Sequence, residues 1–578
     1  MTDAALPGRP AALRVGPARG RLALRGEAGF VLLLACTVAL LSLLPLGRLA
    51  LTAVAPGGAV DLDRIVEVAS RPATLRATWR TLDVAFFGML GALALGAPFA
   101  LALGLTDVPA RRWLGLGILL PLMIAPQVTA LAWLSAFGPA SPLLNTLGIA
   151  PPPGSPNPLI GRGGIVLLFA VQHAPLVFVT LRAGLAAVPR DLVEAARAAG
   201  APPLRVLASV VLPLLRPYAL AAAALAFVAG VGNFGIPALL GIPVNYLTLP
   251  TLIYQRLASS GPGVIGEVAI LSMIVALIAG AGVVAQSLAL GGRTALQGGP
   301  AASFSLGRWR GAVAAALGLV VAVTMVVPFL AVTAAALVPT YGVPLTPATV
   351  TLDNFAEVLF RQASTSRAFR NSFLLAAGAA VILALLAVPV ARTLDRLPRR
   401  AARLAEGLAE LPYALPGIVI AIAAILLFLR PLPVLGVSLY GTVWIILAAY
   451  LMRFLPLMLK PVMAAVSQIP RDREEAAAVS GARVARRVAT VVAPSAFPAV
   501  VAGALLVFMS AFNELTVSAL LWSAGSETLG VALFNYEEGG YGTLAAAIAV
   551  ATLAVVVAVL LALDRLGRRL PPGTLPWR

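Results

Sequence analysis

Long apolar segments recur along this chain, separated by short stretches that carry most of its arginines, and no other feature constrains the fold as strongly. They fall at about 29–50, 83–106, 113–138, 163–187, 212–240 and 264–290, then at about 311–338, 371–391, 410–430, 440–463, 494–522 and 541–563. A bilayer crossing takes roughly 20 apolar residues, and most of these segments reach that length. Only 11% of the 578 residues are charged, against about 25% in soluble domains, so a water-facing surface could not be coated. The expected class is an all-α polytopic membrane protein with about 12 transmembrane helices. Several segments contain proline (Pro98, Pro121, Pro175, Pro389, Pro416, Pro456), which membrane helices tolerate when neighbours satisfy the freed backbone groups.

Orientation follows from the basic residues, which concentrate on the cytoplasmic side. With a cytoplasmic N-terminus, the inside stretches are Arg9–Arg25, Arg111–Arg112, Arg182–Arg216, Arg293–Arg310, Arg392–Arg403, Arg453–Arg487 and Arg565–Arg578. They hold 31 of the 42 basic residues and leave 11 outside. Both termini are expected inside. Ala53-Val54-Ala55 after the first apolar run imitates a signal cleavage site, but the run is long and Pro56 follows, so an uncleaved anchor is expected.

The net charge of +19 does not point to nucleic acid, because the arginines are scattered between apolar runs and form no basic domain. The single lysine, Lys460, precedes Pro461, so no Gly-rich phosphate loop ending in Lys-Ser/Thr exists and the chain is expected to hydrolyse no ATP. One histidine, His173, and one cysteine, Cys36, exclude a His/Cys zinc cluster. No nucleophile–base set has usable spacing. Catalytic, cofactor-binding and metal sites are all expected to be absent.

An internal repeat organises the chain. Pro189-Arg190-Asp191-Leu192-Val193-Glu194-Ala195-Ala196 precedes Gly200-Ala201 and Pro213; Pro470-Arg471-Asp472-Arg473-Glu474-Glu475-Ala476-Ala477 precedes Gly481-Ala482 and Pro494, every pair offset by 281. The register continues from FVAGVGNFGIPALLG (Phe227 to Gly241) to FMSAFNELTVSALLW (Phe508 to Trp522). Upstream the offset drifts to 290, where Pro126 meets Pro416 and Thr81 meets Asn371. Two homologous six-helix halves are expected, 29–290 (core about 80–290) and 311–565 (core about 370–565). A cytoplasmic tail at 1–28, a cytoplasmic linker at 291–310 and a cytoplasmic tail at 566–578 complete the chain. In each repeated loop, Asp191 with Glu194 and Asp472 with Glu475 fit a D-x-x-E capping box, and Gly200 and Gly481 fit a left-handed helix end. The product would be a helix of about eight residues, roughly 12 Å long, suited to a partner groove.

These residues resemble a known family. Glu194-Ala195-Ala196-x3-Gly200-Ala201 and Glu475-Ala476-Ala477-x3-Gly481-Ala482 are similar to the cytoplasmic EAA loop of permeases of binding-protein-dependent ABC importers with the type I fold. The resemblance implies a pore formed by both halves, driven by two ATP-binding subunits that dock on the EAA loops. It also implies an extracytoplasmic solute-binding protein, a bacterial inner-membrane location, no cofactor and no nucleic-acid partner. A fused chain of this length is similar to ferric-iron permeases, and also to thiamine and aminoethylphosphonate permeases. The stretches Phe234 to Gly241 and Asn513 to Trp522 look most like the ferric-iron group, which makes ferric iron the expected solute. Thiamine, aminoethylphosphonate or a polyamine is the alternative.

Ionisable residues within spans default to function. Glu514 is expected mid-way along the eleventh span, with Asn233 as its repeat partner, and the two are candidate pathway residues facing one another across the pore. His173, with Gln172 beside it, is expected to pack or hydrogen-bond, Thr81 and Asn371 to cap the first core helix of each half, and Cys36 to pack. An ion-coupled secondary transporter of twelve spans is the competing class, but Glu514 is nearly alone as an intramembrane charge, and that class gives no reason for two copies of the loop. A membrane-embedded enzyme would need a polar cluster within spans.

Overall fold

The computed structural model describes residues 19–55, 58–259, 261, 263–291, 304–431 and 436–566. Pro56, residues 292–303 of the expected linker, most of the N-terminal tail and residues 567–578 lie outside the described residues. Among those described, ten helices are long and apolar enough to cross a bilayer. In the first half they are Glu27–Val54, Pro72–Leu105, Arg162–Ala186, Pro203–Val231 and Val264–Leu290; in the second, Gly307–Ala336, Ala363–Arg396, Val443–Val466, Val484–Phe512 and Gly542–Val559. Three further pairs are bent: Arg111–Met123 with Pro126–Ala136 by 107°, Gly235–Val244 with Leu249–Ala258 by 73°, and Arg399–Ala414 with Gly417–Phe428 by 103°. Each such pair is a broken span or a re-entrant loop, and counting all three as spans brings the total to thirteen, so that the expected twelve lies within the range of ten to thirteen.

The two sharp bends have a local cause. Ala125, before Pro126, has ψ 137, and Leu415, before Pro416, has ψ 147; the proline ring drives the preceding residue out of the helical region. The segments expected as unbroken spans at about 113–138 and 410–430 are therefore two half-helices each. Pro98, Pro175, Pro389 and Pro456, by contrast, sit inside continuous helices. A second difference concerns the spans expected at 212–240 and 494–522. Their helices end at Val231 and Phe512, and only short helices, Gly235–Gly241 and Ser518–Leu521, follow the breaks.

The halves are interlaced. The first helix of the chain packs on the second half, where Ser42 donates to the carbonyl of Leu408 at 2.6 Å. Reciprocally, the C-terminal part of Gly307–Ala336 packs on Pro126–Ala136 of the first half. One apolar core runs through both halves, from Leu34 through Val128 and Ile420 to Ile548. Cys36, expected to pack, is exposed on the outward face of the first helix.

Candidate translocation layer and ATPase-facing loops

The four chain breaks, at 124–125, 232–234, 415–416 and 513–517, meet one another across the halves. A Cβ placed on Gly232 would stand 2.9 Å from the Cβ of Pro416, so the first half closes against the bend of the second with no side chain between them. On the other side, Asn513, the repeat partner of Gly232, donates from Nδ2 to the carbonyl of Met123 at 3.3 Å, and Gln127 donates to the carbonyl of Asn513 at 3.4 Å. Above these contacts, the ring of Phe234 meets Tyr254 at 5.2 Å and Phe534 at 5.9 Å, which joins the halves a second time.

Glu514 is not mid-helix. It lies in the turn after Phe512, 9% exposed, and its Oε1 accepts from the backbone N–H of Val517 at 3.0 Å. Asn233 does the same in the first half: its Oδ1 accepts from the N–H of Ile236 at 3.2 Å. The two residues thus perform equivalent caps at an offset of 281, satisfying N–H groups that a broken helix leaves free. Their bonds and the ion pair of Glu514 stay within their own halves; the contacts across the pseudo-two-fold axis are made by Gly232 with Pro416 and by Asn513 with Met123 and Gln127.

Two further residues of this layer have matched positions. Gln172, 7% exposed, donates to the carbonyls of Pro121 at 2.6 Å and Ile124 at 3.2 Å, the groups freed by the first bend. Its repeat partner is Arg453, whose Nε lies 3.5 Å from Glu514 Oε2. A Cβ on Gly417 would collide with Arg453 Nη1, so the guanidinium occupies the space left by that glycine. The repeat partner of Gly417 is Gln127. The first half therefore carries neutral amides where the second carries an ion pair. Arg453, expected among the basic residues of an inside stretch, sits within Val443–Val466. His173, 4% exposed, packs beside Phe169 with ring centroids 5.4 Å apart.

Thr81 and Asn371 do not cap the helices that contain them, which begin nine and eight residues earlier, at Pro72 and Ala363. Thr81 accepts from the N–H of Leu249 at 2.8 Å; Asn371 donates to the carbonyls of Gly525 and Glu527, both at 3.0 Å. They fasten the re-entrant segments to the core. Asp83, which sequence reading passed over, receives a bidentate pair from Arg162 at 2.6 and 2.9 Å and a bond from the Tyr246 hydroxyl at 3.2 Å.

The repeated loops form the helices Arg190–Ala198 and Arg471–Val479. Neither has the expected capping box. The N-cap positions are Pro189 and Pro470, without side-chain caps, and Asp191, Asp472 and Glu475 are exposed. Glu194 instead pairs with Arg190. The C-terminal ends are Schellman motifs: Gly200 has φ +80 and Gly481 φ +82. Ala201 N–H reaches the carbonyl of Ala196 at 3.1 Å, and Ala482 that of Ala477 at 3.0 Å. Ala196 and Ala477 are half-buried, Ala195 and Ala476 exposed. Val479, at the end of the second loop helix, is 90% exposed, and Leu204, after the first, is 79% exposed.

Interlaced helical halves that meet at broken helices, each presenting one short helix outside the spans, define the membrane subunit of a transporter. Residues 92–289 and 385–574 match the family of binding-protein-dependent transport system inner membrane components. The chain belongs to that family and is an ABC importer permease subunit. It is 26% identical over 534 residues to a protein of Sinorhizobium fredii described as an ABC transporter permease, covering 90% of this chain and 92% of that one. It is 29% identical over 204 residues (34% of this chain, 70% of the relative) to a protein of Salmonella typhimurium described as a permease of a 2-aminoethylphosphonate transport system. It is 30% identical over 227 residues (38% and 78%) to a protein of Nephroselmis olivacea described as a permease of a sulfate transport system.

Proposed function

We propose that the two halves, 29–290 and 311–565, form one translocation pore in the inner membrane, with both termini cytoplasmic. In this reading Arg190–Ala198 and Arg471–Val479 are coupling helices that dock on two separate ATP-binding subunits, which hydrolyse the ATP. An extracytoplasmic binding protein delivers the solute. The observation that carries this reading is the loop helix built twice, each copy ending in a Schellman glycine and each leading into a membrane span.

For the solute we favour a small oxyanion-bearing molecule of the aminoethylphosphonate kind over ferric iron. Ferric iron follows from the likeness of the stretches around Phe234 and Asn513. Yet Glu514, a carboxylate of the translocation layer, already faces the guanidinium of Arg453, and a fixed positive charge beside it opposes a trivalent cation. Two relatives are described as carriers of oxyanions, which supports the same choice. The test is uptake of labelled 2-aminoethylphosphonate, sulfate and ferric iron in cells with and without this chain. ATP-driven phosphonate uptake that depends on the chain is expected; uptake of iron alone would reverse the choice. Uptake driven by an ion gradient without ATPase subunits would overturn the importer reading itself.

A further inference from the structure

The two loop helices are seated on the membrane core by opposite chemistries. In the first half, Val193 is 1% exposed and packs among Leu105, Leu185, Val188, Val206, Val211 and Leu215. In the second half the repeat partner of Val193 is Glu474, 4% exposed. Arg392 reaches Glu474 Oε1 through Nε at 2.9 Å, and Arg396 reaches Oε2 at 2.8 Å. Arg487 Nη1 lies 3.5 Å from Oε1. Arg392, itself 2% exposed, also donates to Glu27 at 2.7 Å, so the first helix of the chain joins the cluster.

The exchange is concerted. Arg487 is the repeat partner of Val206. The helices Pro72–Leu105 and Ala363–Arg396 match at an offset of 291, one more than the 290 expected from sequence, so that Thr81 matches Ser372 and not Asn371: each hydroxyl accepts from the N–H that opens the matching helix, of Leu249 and Leu529. In that register Arg392 and Arg396 stand where the first half has Leu101 and Leu105. Four positions that are Val, Val, Leu and Leu in one half are thus Glu, Arg, Arg and Arg in the other. Single replacements of this kind would bury unpaired charge at heavy cost; here Glu474 is paired with all three arginines and Arg392 with Glu27 as well, while Arg392 Nη1 and Arg487 Nε keep no hydrogen-bond partner.

The mechanical consequences differ. An apolar seat is non-directional, so no single bond fixes the orientation of the helix that rests on it. A buried carboxylate gripped from both oxygens holds one orientation. We propose that Glu474 is a positioning residue for transport: with Arg392, Arg396, Arg487 and Glu27 it fixes the second loop helix to Ala363–Arg396 and to the first helix, so that these move as one body. The first loop helix rides on its apolar seat. The stroke of one ATPase subunit is then transmitted rigidly and that of the other compliantly. This rests on the permease reading above.

The experiment uses the full chain with its cognate ATPase subunits and binding protein in proteoliposomes, measuring solute imported per ATP hydrolysed. Glu474→Gln should lower that ratio by about fivefold or more while ATP hydrolysis continues, and Glu474→Asp should keep most of it. Because Glu474→Gln leaves Glu27 as the remaining counter-charge for Arg392 and takes the carboxylate from Arg396 and Arg487, a second variant replaces all four residues by those of the first half (Glu474→Val, Arg487→Val, Arg392→Leu, Arg396→Leu). That variant should assemble normally and still show the lowered ratio. A wild-type ratio in the assembled fourfold variant would overturn the proposal. Amide hydrogen exchange on the chain alone separates this from the permease reading: Glu474→Gln should lose protection across 471–487 while 190–206 is unchanged. Unaltered protection across 471–487 would overturn the anchor, even if the wild-type assembly imported nothing.

Discussion

Arg453 and Glu514 stand 3.5 Å apart, from guanidinium Nε to carboxylate Oε2, just past the end of the helix that stops at Phe512. Their repeat partners, Gln172 and Asn233, are neutral, so this contact is the charge asymmetry of an otherwise pseudo-symmetric layer. Glu514→Gln keeps an acceptor for the N–H of Val517 but leaves Arg453 without its counter-charge. A loss of about 1–2 kcal/mol is expected. Uptake should fall about tenfold, a transition-state cost of roughly 1.4 kcal/mol, while the chain accumulates to near its usual level. Uptake measured against immunoblot of the membrane fraction checks this; equal uptake at equal level would remove Glu514 from the pathway.

At Gly200 and Gly481 a Cβ would meet nothing within 4 Å, so any effect of substitution is backbone strain and not collision. Placing a β-branched residue at φ near +80 costs roughly 1–2 kcal/mol. Gly481→Val is expected to untwist the end of Arg471–Val479 and uncouple hydrolysis from uptake, with binding-protein affinity little changed. Full transport by Gly481→Val would show that the left-handed end has no part in coupling.

The spans, the repeat and the loop glycines were legible because each is written locally: length of an apolar run, a fixed offset, a glycine after a helical stretch. The contents of the translocation layer were not. Pro126 breaks a helix whereas Pro98 does not, and the two are alike in sequence; what differs is that Gln172, from another helix, receives the carbonyls freed at the first bend. Likewise Glu475 carries the loop motif and is exposed, while its neighbour Glu474 is the buried one. The signal for both lay in the register of the repeat, which sets Gln172 against Arg453 and Val193 against Glu474. A mismatch of polarity between repeat partners marks the places where the halves have diverged.

Gln172 is the residue that stabilises the first bend, and Gln172→Leu should show it. The change keeps the volume nearly constant but abandons two buried carbonyls, of Pro121 and Ile124. Each lost bond to a buried group costs about 1–3 kcal/mol. The thermal midpoint of the detergent-solubilised chain should fall by several degrees, whereas His173→Leu, at the adjacent and more loosely held ring, should shift it little. Equal shifts in both variants would mean that Gln172 only fills space.

Gly232 offers the sharpest test of how the pore closes. The first half approaches the second at this residue, where the ring of Pro416 leaves a gap of 2.9 Å for an added Cβ, below any ordinary carbon–carbon contact. Neither neighbour can yield cheaply: Pro416 is a rigid ring at a 103° bend, and Gly232 lies between the span Pro203–Val231 and the cap made by Asn233. Gly232→Ala should therefore hold the two breaks apart. The chain is expected to fold, because the rest of the interlaced core is untouched. Transport should then lose its dependence on ATP, with solute leaking down its gradient through vesicles that hold the variant alone. Vesicles holding Gly232→Ala that stay as tight as those holding the wild-type chain would move the closure of the pore away from this contact, leaving the aromatic cluster of Phe234, Tyr254 and Phe534 as the closing element.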